Sequence, residues 1–280
     1  MKLNEINYKT WFLNYVDTYG KHPSIIIKRD HSIRVAKSMK DTFNSWDVDD
    51  EYIALANFIG LYHDLGRFEQ WNKYNTFVDS VSVDHAALSA NILFKPEIIE
   101  KLLPDNIFEI IILNSIYHHN KFSLPGNLSF KDEWVFYRLK NFDISSDKIN
   151  EDPTIGSLYC MAIRDADKLD ILRQYLLSNN LIKYSEEAVT PKVANDFLNN
   201  KPILTTDRKS VNDSILLRLS FINDINLTKY LKQIKEDNII EKMNEVYPNK
   251  ELVQMYFDYA QQRLDELIEN NKNTQYVLKK

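Results

Sequence analysis

Six histidines occur in the chain, at His22, His31, His63, His85, His118 and His119. One stands directly before an aspartate: His63-Asp64 closes the apolar run "YIALANFIG" and opens "HDLGRFEQW". Two further carboxylates, Asp165 and Asp167, lie in "IRDADKLDIL". A doublet of this kind is costly to bury unless a cation or a hydrogen-bond partner satisfies it. Imidazole nitrogens and carboxylate oxygens are ligands for divalent ions, and the single cysteine, Cys160, leaves no thiolate site. An N/O donor set suits Mn2+, Fe2+, Co2+ or Ni2+ at least as well as Zn2+. On a helix His63 and Asp64 point about 100° apart, so the imidazole can hold one ion while the carboxylate spans two. Ions bridged in that way activate a water for hydrolysis without a covalent nucleophile on the protein.

The elements that carry these residues read as helices. In "HSIRVAKSMKDTF", Val35, Met39 and Phe43 recur every four residues, with His31 one turn earlier. "DDEYIALANFIGLYHD" opens on an acidic turn and reads as helix as far as Gly66, taken as its stop. "VDHAALSANILF", with Asp84 or Ser82 as cap, "DNIFEIIILNSIYHHN" and the long "TIGSLYCMAIRDADKLDILRQYLL" follow. Each histidine alone reads as a satisfied core or surface residue. Together, four helices offer histidine near an apolar face and a fifth offers Asp165 and Asp167, and a bundle can point such groups at one centre. In the plain reading Arg164, Asp165 and Lys168 are charges on a solvated face. Later segments, "AVTPKVANDFL", "SVNDSILLRLSF", "LTKYLKQIKEDN" and "ELVQMYFDYAQQRLDELIENN", are also amphipathic, and "ENNKNTQYVLKK" is expected to fray.

Composition narrows the classes. A net charge of −5 argues against a protein that coats nucleic acid, so no tight binding to duplex DNA or RNA is expected. Only five glycines occur, at 20, 60, 66, 126 and 156, and no Walker or dinucleotide-binding pattern is present. "MKLNEINYKTWFLNYV" lacks the apolar core of a signal peptide, and "IFEIIILNSIY" is broken by Glu109 and too short to span a bilayer. A cytoplasmic protein with no membrane partner is the expectation.

His31, then His63-Asp64, then Asp167 resembles the ordered signature of the HD-domain metal-dependent phosphohydrolase superfamily. "HDLGRFEQ", "VDHAALSA" and "IRDADKLDIL" are similar to strings in a group of bacterial HD-domain proteins. The resemblance covers roughly Ile25 to Leu176. It implies one ion held by His31, His63, Asp64 and Asp167, with "ADKL" favouring Asp167 over its neighbour Asp165. In binuclear members, histidines from the next two helices hold a second ion, which implicates His85 and the pair His118-His119, with Asp64 as the bridging catalytic ligand. After "HHN" the chain reads "KFSLPGNLSF", without the glycine-tyrosine-proline loop of the cyclic-dinucleotide phosphodiesterases.

These readings predict an all-α HD-type bundle over 1–200 with a C-terminal helical extension over 201–280 packed on the same unit, "NNKPILTTDRKS" marking the boundary. The expected activity is hydrolysis of a phosphomonoester or phosphodiester in a nucleotide or related small molecule, with two divalent ions per chain. Arg67 and Lys121 are candidate phosphate ligands. Tyr62, Phe68, Trp71, Tyr74 and Phe77 could stack a base, although such spacing more often means core. The rival expectations are a mononuclear enzyme of the alarmone pyrophosphohydrolase or nucleotide triphosphohydrolase type, and a non-catalytic nucleotide-sensing module.

Overall fold

The computed structural model describes residues 5–46, 48–103, 108–122, 124, 143–145, 155–177, 186–248, 250–270 and 277–279. Among the described residues it is all-α, apart from one three-residue antiparallel pairing of Asp143–Ser145 with Val277–Lys279. The closing residues read as frayed therefore supply a strand. No helix among the described residues is long and apolar enough to cross a membrane. The chain forms two compact units, Met1–Ala166 with Gln275–Lys280, and Asp167–Thr274.

The first unit contains α1 (Glu5–Asp17), α2 (Pro23–Asn44), α3 (Asp50–Tyr62), α4 (Gly66–Tyr74), α5 (His85–Leu93), α6 (Pro96–Leu102), α7 (Glu109–His118) and the start of α8 (Ile155–Leu177). Pro23 stands in the first turn of α2, where a missing N–H costs nothing, and the His22 ring accepts from the Ser24 N–H. Helices α2 and α3 approach so closely that a Cβ on Gly60 would lie 2.6 Å from Ala36 Cα. Asn57 ties the pair, donating to the Ala36 carbonyl at 2.9 Å while accepting from the Tyr8 hydroxyl at 2.9 Å. Phe12, Phe43, Phe58, Tyr62 and Tyr159 fill the core, with the Phe43 and Tyr159 rings stacked at 4.3 Å. Cys160 is buried, and burial pushes its thiol up to about 12.

Gly66 is not a helix stop. α3 ends at Tyr62, His63 to Leu65 form a turn, and Gly66 begins α4. Its role is close approach: a Cβ there would meet the His85 carbonyl oxygen at 2.6 Å and the Ser89 nitrogen at 2.7 Å. Nor do Arg164 and Asp165 lie on a solvated face; both are buried.

The second unit continues α8 and adds α9 (Pro191–Leu198), α10 (Val211–Leu219), α11 (Thr228–Glu236), α12 (Ile239–Val246) and α13 (Lys250–Asn270). α10 opens with a capping box: the Ser210 hydroxyl accepts from the Asp213 N–H, and Asp213 accepts from the Ser210 N–H. Apolar stripes on these helices bury Phe197, Leu216, Ile234, Met243 and Phe257. The "NNKPILTTDRKS" stretch lies inside this unit.

Candidate metal centre

Four donor-bearing segments of the first unit meet at Asp64. α2 presents Lys28 and His31, three residues apart and so on one face. The turn after α3 carries His63 and Asp64, α5 begins at His85, and His119 caps the C-terminus of α7. His63 keeps helical backbone angles (φ −55°, ψ −38°), so its ring and the Asp64 carboxylate diverge but remain neighbours.

The two oxygens of Asp64 face different histidine pairs. Oδ2 lies 3.5 Å from His31 Nε2 and 3.7 Å from His63 Nε2. Oδ1 lies 3.4 Å from His85 Nε2 and 3.6 Å from His119 Nε2. Lys28 Nζ approaches Oδ2 at 2.7 Å, and Arg67 Nε lies 3.5 Å from Oδ1. Burial works against the charge on Asp64, but Lys28, His63, His119 and Arg67 together hold its pKa well below the usual carboxylate range.

Three imidazoles are anchored through Nδ1. His63 donates to the Gly60 carbonyl at 2.8 Å and His119 to the Ile116 carbonyl at 2.7 Å, each three residues back. His85 donates to Asp79 Oδ2 at 2.5 Å. A carbonyl can only accept, so the proton sits on Nδ1 and Nε2 of the neutral ring carries a lone pair. Burial pushes His85 down to about 4, which keeps it neutral. His85 Nε2 and His119 Nε2 stand 3.1 Å apart. Two lone pairs at that distance repel unless a cation or a proton lies between them, so the donor set fits a divalent ion.

A second ring of polar groups fixes these donors. Asp79 accepts from His85, from Arg67 at 2.8 Å and from Gln70 at 2.9 Å. Burial opposes its charge, yet His85, Arg67 and Gln70 keep its pKa far below the ordinary value. Asp84 caps α5 through the Ala86 and Ala87 N–H groups and also accepts from Asn120 at 2.9 Å and from Lys121. The buried Arg164 guanidinium donates to the His118 carbonyl at 3.2 Å and to the Lys121 carbonyl, holding the end of α7.

These groups pair a buried, oriented imidazole set with a doublet carboxylate, and the family model of the HD domain matches residues 29–172. The chain belongs to the HD-domain family. No curated protein and no solved structure matches it. Within the HD domain, His31, His63 and Asp167 offer ligand atoms that all lie within 4.8 Å of one another. His63, Asp64 and His119 form a second such group, and Asp79, Asp84 and His85 a third. Asp167 is half-buried on α8, whereas Asp165 is fully buried and joins none of these groups.

His118 stands apart from the donor groups of the described residues, its ring edge-on to Tyr117 at 5.0 Å. Adjacent side chains near a helix end diverge by about 100°, so the centre admits one of the pair. Arg67 is committed to Asp79, Gln70 and the Phe77 carbonyl, and Lys121 to Asp84 and the Tyr117 ring. Tyr62 and Phe68 are core residues; Trp71 packs between His22 and Phe77, and Tyr74 is exposed. Most of "KFSLPGNLSF" lies outside the described residues.

Sequence reasoning passed over Lys28, Asp79 and Asp84. Lys28 had a signal, its spacing of three from His31 on one helical face. The sequence marks Asp84 only as a helix cap. Asp79, in the short 3-10 turn Asp79–Val81, had none, because no periodicity marks a loop residue.

Proposed function

We propose that this HD-domain protein is a metal-dependent phosphohydrolase that cleaves a phosphomonoester or phosphodiester bond of a nucleotide or related small molecule. The carrying observation is Asp64, whose two oxygens each face a separate histidine pair. In this reading His31, His63, Asp64 and Asp167 would hold one ion, and Asp64, His85 and His119 the other. Bound there, two divalent ions supply an activated water and neutralise charge on the phosphoryl group. Asp64 fixes the spacing of the two positions, and Asp79 keeps His85 in the tautomer that presents Nε2. Lys28, partly exposed beside Oδ2, is placed to meet a phosphate oxygen.

The test is a phosphatase and phosphodiesterase panel on protein reconstituted separately with Mn2+, Fe2+, Co2+, Ni2+ or Zn2+, with elemental analysis of the same samples. Expected are hydrolysis of a small phosphoester and two ions per chain, both lost in Asp64→Ala. One ion per chain, unchanged in His85→Ala, would favour the mononuclear type. Folded, fully loaded protein that hydrolyses nothing in the panel would favour the sensing module.

A further inference from the structure

A separate cavity of about 450 Å3 opens between α1 and α2 over α3. Its floor and walls are Phe12, Leu13, Ile33, Ala36 and Leu61. Around them stand Lys9, Lys37, Lys40 and Asp41. From these residues we infer a binding site for a single-chain amphiphile with an anionic head, of the fatty-acid type.

The volume falls within the range of small-molecule sites. Asn57, the polar side chain in the lining besides the charged residues, spends its amide on Tyr8 and the Ala36 carbonyl. The buried part of an occupant thus meets hydrocarbon, with little for a base or sugar to hydrogen-bond. Phe12 is fully buried and offers no open ring face for stacking. Leu13 and Ile33 remain 43% and 42% exposed, so apolar walls stand in water. An aliphatic chain laid between them removes both its own surface and theirs from solvent.

Charge selects the head group. Three lysines and one aspartate give the rim a positive balance on a chain whose net charge is −5. Asp41 pairs with Lys37 at 2.5 Å, which matches the acid with one lysine and leaves the positive balance to Lys9 and Lys40. Lysine stems also extend the apolar wall while their ammonium groups reach water, which suits a carboxylate at the mouth. A single carboxylate makes the cavity a poor cation site. Ile33 lies two residues beyond His31, about 200° round α2, so an occupant here does not touch the metal centre. The inference is therefore independent of the activity proposed there.

Full-length protein is titrated with dansyl-undecanoate, followed by its fluorescence, and the probe is then displaced with laurate or with dodecanol. Expected is saturable binding of one probe per chain, with dodecanol about tenfold weaker than laurate for want of a charge-assisted contact. The double variant Leu13→Glu/Ile33→Glu alters exposed positions and is expected to keep its helical content and melting temperature while binding about tenfold or more weakly. Lys37→Glu/Lys40→Glu should weaken laurate and leave dodecanol unchanged. The inference is overturned by absent or non-saturable binding to folded protein, by equal affinity for acid and alcohol, or by unchanged affinity in either variant. A dimer in sedimentation that Leu13→Glu/Ile33→Glu dissociates would also overturn it, assigning the cavity to a second copy of the chain.

Discussion

The ammonium of Lys28 donates to Oδ2 of Asp64 across 2.7 Å, on the side of the carboxylate that His31 and His63 also face. A fixed positive charge there stabilises the buried carboxylate and repels any further cation. Lys28→Met is expected to lower the stability of metal-free protein by about 1–3 kcal/mol, the cost of removing a charged partner from a buried group. Affinity for the first Mn2+ should rise about tenfold, the equivalent of about 1.4 kcal/mol. Thermal unfolding with and without metal, and calorimetric titration, give the two numbers. Weaker Mn2+ binding in the variant would show that Lys28 organises the centre instead of competing with it.

Asp79 supports the second histidine pair through one hydrogen bond to His85 Nδ1. Outer carboxylates of this kind typically contribute 10- to 100-fold in metal affinity, so Asp79→Asn should lose about that factor at one ion and little at the other. Elemental analysis after dialysis against graded chelator separates the two. Equal weakening of both ions would place the effect in the fold as a whole.

Gly66 gives a stability prediction with a functional echo. A methyl group at this position meets the His85 carbonyl oxygen and the Ser89 nitrogen at 2.6 and 2.7 Å, so α4 and α5 must separate. Gly66→Ala should cost about 1–3 kcal/mol in denaturant unfolding, the usual penalty of overpacking. His85 moves with α5, so the ion on its side should also bind more weakly.

The capping box of α10 predicts a pH dependence remote from the centre. Burial raises the pKa of Asp213, but hydrogen bonds from the Thr190 hydroxyl and from the Thr190, Lys209 and Ser210 N–H groups outweigh it and leave the pKa lowered. A depressed folded pKa gives stability that is fully present above the unfolded value, near 3.9, and is lost as pH falls through the folded one. Asp213→Asn should therefore cost about 1–2 kcal/mol at pH 7, with the difference shrinking below about pH 4. Unfolding curves at pH 7, 5 and 3.5 check this, and a difference that grew on acidification would contradict the sign.

The helical architecture is legible because the apolar residues of α2, α3, α7 and α8 recur at helical spacing, and the donors are nameable because they interrupt those apolar faces. Reading Gly66 as a stop fails for a reason of kind: local sequence cannot distinguish a glycine needed for left-handed backbone from one needed for close approach of a helix that begins 19 residues further along the chain, at His85. Arg164 misleads similarly, since a charge on an amphipathic pattern reads as solvated until the carbonyls it caps are known. The choice between His118 and His119 depends on the phase of α7 at its last turn, where helix ends are least predictable. Asp79 is invisible because its partners, Arg67, Gln70 and His85, come from two helices and meet only after folding.

His63 and His119 share one further trait: each bonds the carbonyl three residues back, at the C-terminal end of its own helix. Two helix ends thus converge on Asp64, and each carries the equivalent of roughly half a negative charge from its aligned peptide dipoles. The N-termini of α4 and α5, at Gly66 and His85, bring the opposite half-charges to the same centre, beside Lys28 and Arg67. In the proposed reading the Asp64 carboxylate repels an ester until cations offset it, so the concentration of cations sets when hydrolysis can begin.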